Sequence, residues 1–209
     1  MAVLSETGCF SPQHFGRAKT DAARRSPSRS RCYWRKALLI ALVLLAATAV
    51  CHSQADGVTE NEIKAAFLYN FVKFVEWPPE VFPDPSGPVR ICVFGNSPLK
   101  PDLQQMVVGK KIETRPLEVY RVGLFQIRTC QVVFVGRAEN DRLPQVLEAA
   151  RGSGTLTVGD IPGFLEQGGM INFVFDQSRV RFEVNLKAAR EARLKLSSKL
   201  LNLAKSVEK

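Results

Sequence analysis

The sequence predicts an α/β fold: a three-layer sandwich on a largely parallel sheet, ending in an antiparallel hairpin and a closing helix. Three observations lead there. From residue 60 onward, strand-like apolar runs alternate with segments of helical periodicity, the pattern of successive βα units. Val132, Val133, Phe134 and Val135 are apolar without a break, as in a strand buried on both faces. The last two runs, residues 169–175 and 179–184, are three residues apart. That gap is too short for a crossover, so the two runs pair antiparallel.

Each element has its own signal. Thr59 and Glu62 form an S/T-x-x-E capping box, followed by Ile63, Phe67 and Phe71 at four-residue spacing with Leu68, Val72 and Val75 alongside, a helix with a broad apolar face. It ends near Trp77, because Pro78 disfavours the helical region for the residue before it, and residues 78–88 are a Pro- and Gly-rich loop. Residues 89–95 read as a buried strand, 98–107 as a short helix, 117–122 and 130–135 as strands. Residues 140–150 place Leu143, Val146 and Leu147 on one helical face, and 154–158 form the next strand. Residues 162–167 suit a helical turn, after which Gly168 and Gly169 open the hairpin. Asn185 then caps a final helix whose apolar positions are Leu186, Ala189, Leu196, Leu200 and Leu203.

The chain has 209 residues and a net charge of +9, but the charge is uneven. Residues 1–55 hold eight Lys or Arg and two acids, leaving 21 bases and 18 acids for the rest. So balanced a domain lacks the field that drives phosphate-backbone binding, which argues against a nucleic-acid partner. Both histidines, His14 and His52, fall in the first quarter. Imidazole-based triads and HExxH zinc sites are thereby excluded from the globular part.

That first quarter reads as an export signal. Arg35 and Lys36 precede a 14-residue run, 37–50, apolar but for Thr48, the length of a secretory core and short of the roughly 20 that a spanning helix needs. Ala47 with Ala49, or Ser53 with Ala55, fit a signal peptidase, with cleavage after Ala55 preferred. A lipoprotein site at Cys51 is disfavoured by Val50 directly before it. The expected organisation is a signal segment over 1–55 with a long basic n-region and one exported domain over 56–209.

A search for chemistry finds little. Gly109, Lys110 and Lys111 lack the flanks of a P-loop, residues 151–154 do not extend to GxGxxG, and both are turns. No nucleophile elbow, metal set or cofactor motif is present, so neither a catalytic residue nor a cofactor is assigned. Trp77 is either a partner anchor or a core plug. Arg181 and Glu183 share one strand face, where they pair or mark a polar crevice.

Three blocks, residues 62–78, 156–175 and 179–204, resemble the YfiR family of periplasmic proteins. The resemblance spans residues 60–204. It implies a small α/β domain without enzymatic activity that binds the periplasmic sensor region of an inner-membrane diguanylate cyclase and holds it inactive. A related membrane sensor is the alternative partner. A small-ligand protein using the crevice at the carboxyl ends of the strands is an alternative of another class. Whether the chain self-associates stays open. Some members carry a second cysteine pair that is absent here, so any redox role rests on one bridge.

Two site expectations complete the reading. Phe164 and Met170, apolar residues bracketing glycines, are either partner contacts or core. Cys92 and Cys130, the cysteines left after export, pair if the sheet has flavodoxin-like order, which seats the Cys92 strand beside the strand beginning at Cys130.

Overall fold

A computed structural model describes residues 58–84 and 86–208. The expected signal segment, with its expected cleavage positions and Cys9, Cys32 and Cys51, lies outside the described residues. Helix α1 (Glu60–Phe74) starts at the expected capping box, with Thr59 accepting from the Glu62 amide and Glu62 accepting from the Thr59 amide. It stops before Trp77, because Val75 is already extended and starts the two-residue strand β1 (Val75–Glu76).

The sheet follows in β2 (Val89–Phe94), β3 (Lys111–Ile112), β4 (Arg115–Val122), β5 (Val132–Val135), β6 (Leu156–Gly159), β7 (Ile171–Asp176), β8 (Arg179–Asn185) and a terminal strand, β10 (Ser206–Glu208). Its order is β10-β8-β7-β6-β5-β2-β4-β3. The stretch from β4 to β7 is parallel throughout, while β7 and β8 form the antiparallel hairpin. Helices α2 (Leu99–Val107) and α3 (Leu143–Ala150) are two of the crossovers.

Alternation along the strands builds two cores. Ile91, Val93, Phe134, Val158, Phe173 and Phe182 face α1 and α2, and Phe67 and Phe71 from α1 stack into that layer. On the other face Cys92, Phe94, Val133 and Val135 pack under α3, a 3-10 turn (Leu124–Thr129) and the turn residues 161–168.

The closing helix differs from expectation. It is two helices, α4 (Leu186–Glu191) and α5 (Ser198–Leu203), with strand β9 (Lys195–Leu196) between them paired to β1. The break sits at Arg193, which adopts a left-handed conformation at φ 61° so that the Leu194 amide can donate back to Ala189 at 2.9 Å. Buried Leu194 then reaches the core, and Ser197 caps the second helix by accepting from the Leu200 amide. The continuous periodicity concealed a stop that carries no glycine.

Candidate functional site

Strand order places a switch point between β2 and β5, since the chain leaves β2 for β4 on one side and returns to β5 on the other. Loops that diverge at such a point leave a crevice outside the carboxyl ends of the strands. Here it has a volume of about 560 Å³, with Asn96 and Ser97 after β2, Arg137 after β5 and Asp160 after β6 on its walls. Exposed Phe175 and buried Lys64 line it from β7 and α1.

Lys64 organises the electrostatics. Only 3% exposed, it donates to Asp160 Oδ2 at 2.5 Å and to Glu60 one turn earlier in α1. Arg137, mostly exposed, donates to the other oxygen of Asp160 at 3.1 Å. A buried ion pair contributes little net stability against an apolar pair of equal volume, because desolvation offsets the attraction. Lys64→Met removes the one deeply buried charge and leaves Asp160 paired with Arg137, so it should unfold in urea within about 1 kcal/mol of the parent, whereas Asp160→Ala, which strips a partner from a buried ammonium, should lose about 1–3 kcal/mol. A large loss from Lys64→Met would assign the pair to stability alone.

The disulfide lies at the other end of the strands. Cys92 and Cys130 are bridged, with Cα atoms 6.0 Å apart. Cys92 is inside β2, opposite Val133, whereas Cys130 closes the 3-10 turn two residues before β5 begins. The bridge thus reaches from the middle of one strand to the irregular lead-in of the next. Its turn is held by Ile127, fully buried, and by a bond from Thr129 Oγ1 to the Gln126 carbonyl at 2.8 Å. Phe125, on the same turn, is fully exposed. Nearby on β4 the Tyr120 hydroxyl donates to Glu118 at 2.5 Å. That bond raises the Tyr120 pKa above its ordinary value, with further upward contributions from burial and the Glu118 charge, while Arg90 pulls it down.

Comparison with known proteins bears on both regions. The family described as DUF4154, YfiR/HmsC-like, matches residues 61–205. The chain belongs to that family. No curated protein matches the chain. Among solved structures, a conserved domain protein from Vibrio cholerae O1 biovar El Tor strain N16961 is similar at TM-score 0.51 and 13% identity, covering 72% of this chain and 60% of that one. The likeness shows the α/β fold, and this chain spans about 60% of that protein's length. An ABC domain in complex with L-Trp from Streptococcus pneumonia aligns at TM-score 0.41 and 14% identity, covering 56% of this chain and 54% of that one.

In this YfiR/HmsC-like chain the residues singled out earlier are dispersed. Phe164 is 0% exposed and Met170 7%, so the surface-contact reading is corrected: both side chains pack in the core. The Phe164 ring is wedged between the backbones of Gly159 and Gly169, where a Cβ at either position would overlap it. Gly169 is therefore a packing residue, and only Gly168, at φ 96°, needs a conformation that other residues avoid. Gly169→Ala should cost about 1–3 kcal/mol by overpacking, and a Phe164→Leu change in the same chain should recover part of it, as denaturant midpoints would show.

Trp77 is half-buried, packs edge-on to Phe82 and donates from Nε1 to the Gln131 carbonyl at 3.3 Å. Gln131 in turn accepts from the Arg90 amide and donates to the Val81 carbonyl, so the group fastens the Pro-rich loop to the sheet. Arg181 and Glu183 do share a face of β8, but neither lines the crevice, and they do not pair with each other. Glu183 instead lies 3.9 Å from Lys205. What the sequence reading missed is Phe125 and the Lys64–Asp160 pair. Lys64 sat within the apolar block of α1, an available signal. Phe125 in an LFQI run reads as core, and only the turn turns it outward. Among the described residues no group of His, Cys, Asp or Glu could hold a metal, and no helix is long and apolar enough to cross a membrane.

Proposed function

We propose that the protein is an exported, non-enzymatic regulator that binds the periplasmic sensor domain of an inner-membrane diguanylate cyclase and represses it. The family match over residues 61–205 carries this reading. The cysteine bridge is in keeping with an oxidising compartment, and the lack of any imidazole in residues 58–208 with a binding role. The protein acts across the membrane through its partner and never meets the nucleotide. Deleting it should raise cellular cyclic-di-GMP, measured by mass spectrometry, only in cells that retain the cyclase. Unchanged levels, or a rise without the cyclase, would sink the proposal.

The crevice favours a second reading, that the domain also takes a small ligand. Its walls combine an exposed aromatic ring, a mostly exposed guanidinium and neutral hydrogen-bonding groups in a volume suited to a metabolite. A thermal-shift screen of the purified protein tests it. A genuine ligand raises the melting temperature of the parent and has little effect on Arg137→Ala, whose exposed side chain leaves stability unchanged. Equal shifts in both proteins would move the ligand elsewhere.

A further inference from the structure

We propose that the disulfide-tethered turn bearing Phe125 is a protein docking surface, and that its occupant is an acidic patch with an apolar socket on the exported domain of the membrane partner. The proposal rests on the regulator reading for the partner's setting and supplies the surface which that reading lacks.

Phe125 is the only described large apolar residue that is completely exposed. It is held rigidly. Ile127 anchors the turn in the core, Gln126 accepts from the Gly123 amide at 2.8 Å, and Cys130 at the end of the turn is bridged to β2. With the backbone of the turn fixed in this way, binding has to order only the two side-chain torsions of the ring, as suits an interface anchor.

Its surroundings specify the occupant. Arg90 and Arg128 are exposed and make no ion pair among the described residues, and Arg128 donates to the Arg151 carbonyl at 3.3 Å. Tyr120, 43% exposed, has its hydroxyl already engaged by Glu118 and offers its ring. Two hollows, of about 260 and 390 Å³, share Arg90 and Thr129, and Cys92 lines the smaller. A projecting ring with one unpaired guanidinium on its own turn and a second on the adjoining strand β2 is complementary to carboxylates placed around an apolar socket.

Photo-crosslinking on the full chain, in the host that encodes it, provides the test. Phe125 is replaced by p-benzoylphenylalanine, and the same replacement at Val108, 77% exposed on the rim of α2, serves as control. The expected result is an adduct at position 125, absent at 108, mapping to an acidic exported domain of a membrane protein. Arg90→Glu with Arg128→Glu should cut its yield about tenfold or more, and Phe125→Ala should weaken binding of the purified domain about tenfold to a hundredfold. These exposed positions leave the melting temperature within a few degrees. If the captured protein is a diguanylate cyclase, both proposals stand. If it is another membrane protein with such a domain, the docking surface stands and the cyclase reading falls. No adduct above the control, an adduct to lipid or to a second copy, or a yield insensitive to charge reversal overturns the docking surface.

Discussion

Phe164→Ala should lower the unfolding free energy by about 3–5 kcal/mol, as expected for removing a fully buried aromatic ring. The size follows from the site. The ring fills the space between the backbones of Gly159 and Gly169 and belongs to the core under α3, with Ile161 and Leu165 from the same turn. Neither glycine has a side chain that could collapse into the void, so the cavity persists and the loss falls in the upper part of that range. A domain of this size shifts by about 2–4 °C for each kcal/mol, so melting should drop by roughly 6–20 °C. Calorimetry of the purified protein decides it. A shift under about 2 °C with lost partner binding would restore the surface-anchor reading of this residue.

That residue illustrates what was legible in the sequence. The alternation of elements, the capping box at Thr59, the largely parallel sheet and the hairpin were all readable, because each rests on local periodicity or on gap length, whereas the order from β4 to β7 matched the flavodoxin-like order that the cysteine pairing assumed. The neighbours of Cys92 followed from the strand order. Three things were not readable. Phe164 between glycines looks the same in sequence whether the glycines give flexibility or clearance for a ring, and only the packing tells them apart. Arg193 ends α4 without the glycine that usually marks a left-handed stop, because pairing of Lys195 and Leu196 with β1 compensates the strained conformation. The Lys64–Asp160 pair joins residues 96 apart, beyond any periodicity, and it forms only when β6 ends beneath the first turn of α1.

If both proposed sites hold, the two ends of the domain carry different functions. The carboxyl ends of the strands hold a polar crevice organised by an ion pair whose net stabilisation is small, and the other end holds a rigid turn with an exposed ring. Ligand input and partner contact can then act on separate surfaces. Their coupling would pass through β2 and β5, which border the crevice at one end and lead to the bridge region at the other.

The bridge itself should be worth about 3–4 kcal/mol, the chain-entropy value for a closed loop of separation 38. Net stability for a small domain is about 5–15 kcal/mol, so its loss removes a large share. Cys92→Ala with Cys130→Ala should lower the melting temperature by roughly 6–16 °C. Both sites are nearly fully buried in the core under α3, so alanine keeps the packing apolar and leaves no free thiol. The local effect should exceed the global one. Without the bridge the 3-10 turn is left with buried Ile127, its own short hydrogen bonds, the Thr155 hydroxyl donating to the Cys130 carbonyl at 2.8 Å and the exposed Arg128 bond to the Arg151 carbonyl, and amide exchange over residues 124–130 should accelerate more than exchange in β5 or β6. If the turn is the docking surface, partner affinity should fall in the double variant even at temperatures where the sheet stays folded, making the bond a route for redox input to signalling. Unchanged affinity in a variant that shows the melting shift would make the bond a structural staple and nothing more. Thiol counting on unfolded, unreduced protein sets the starting point: no free thiol from this pair is expected, and two would remove the premise.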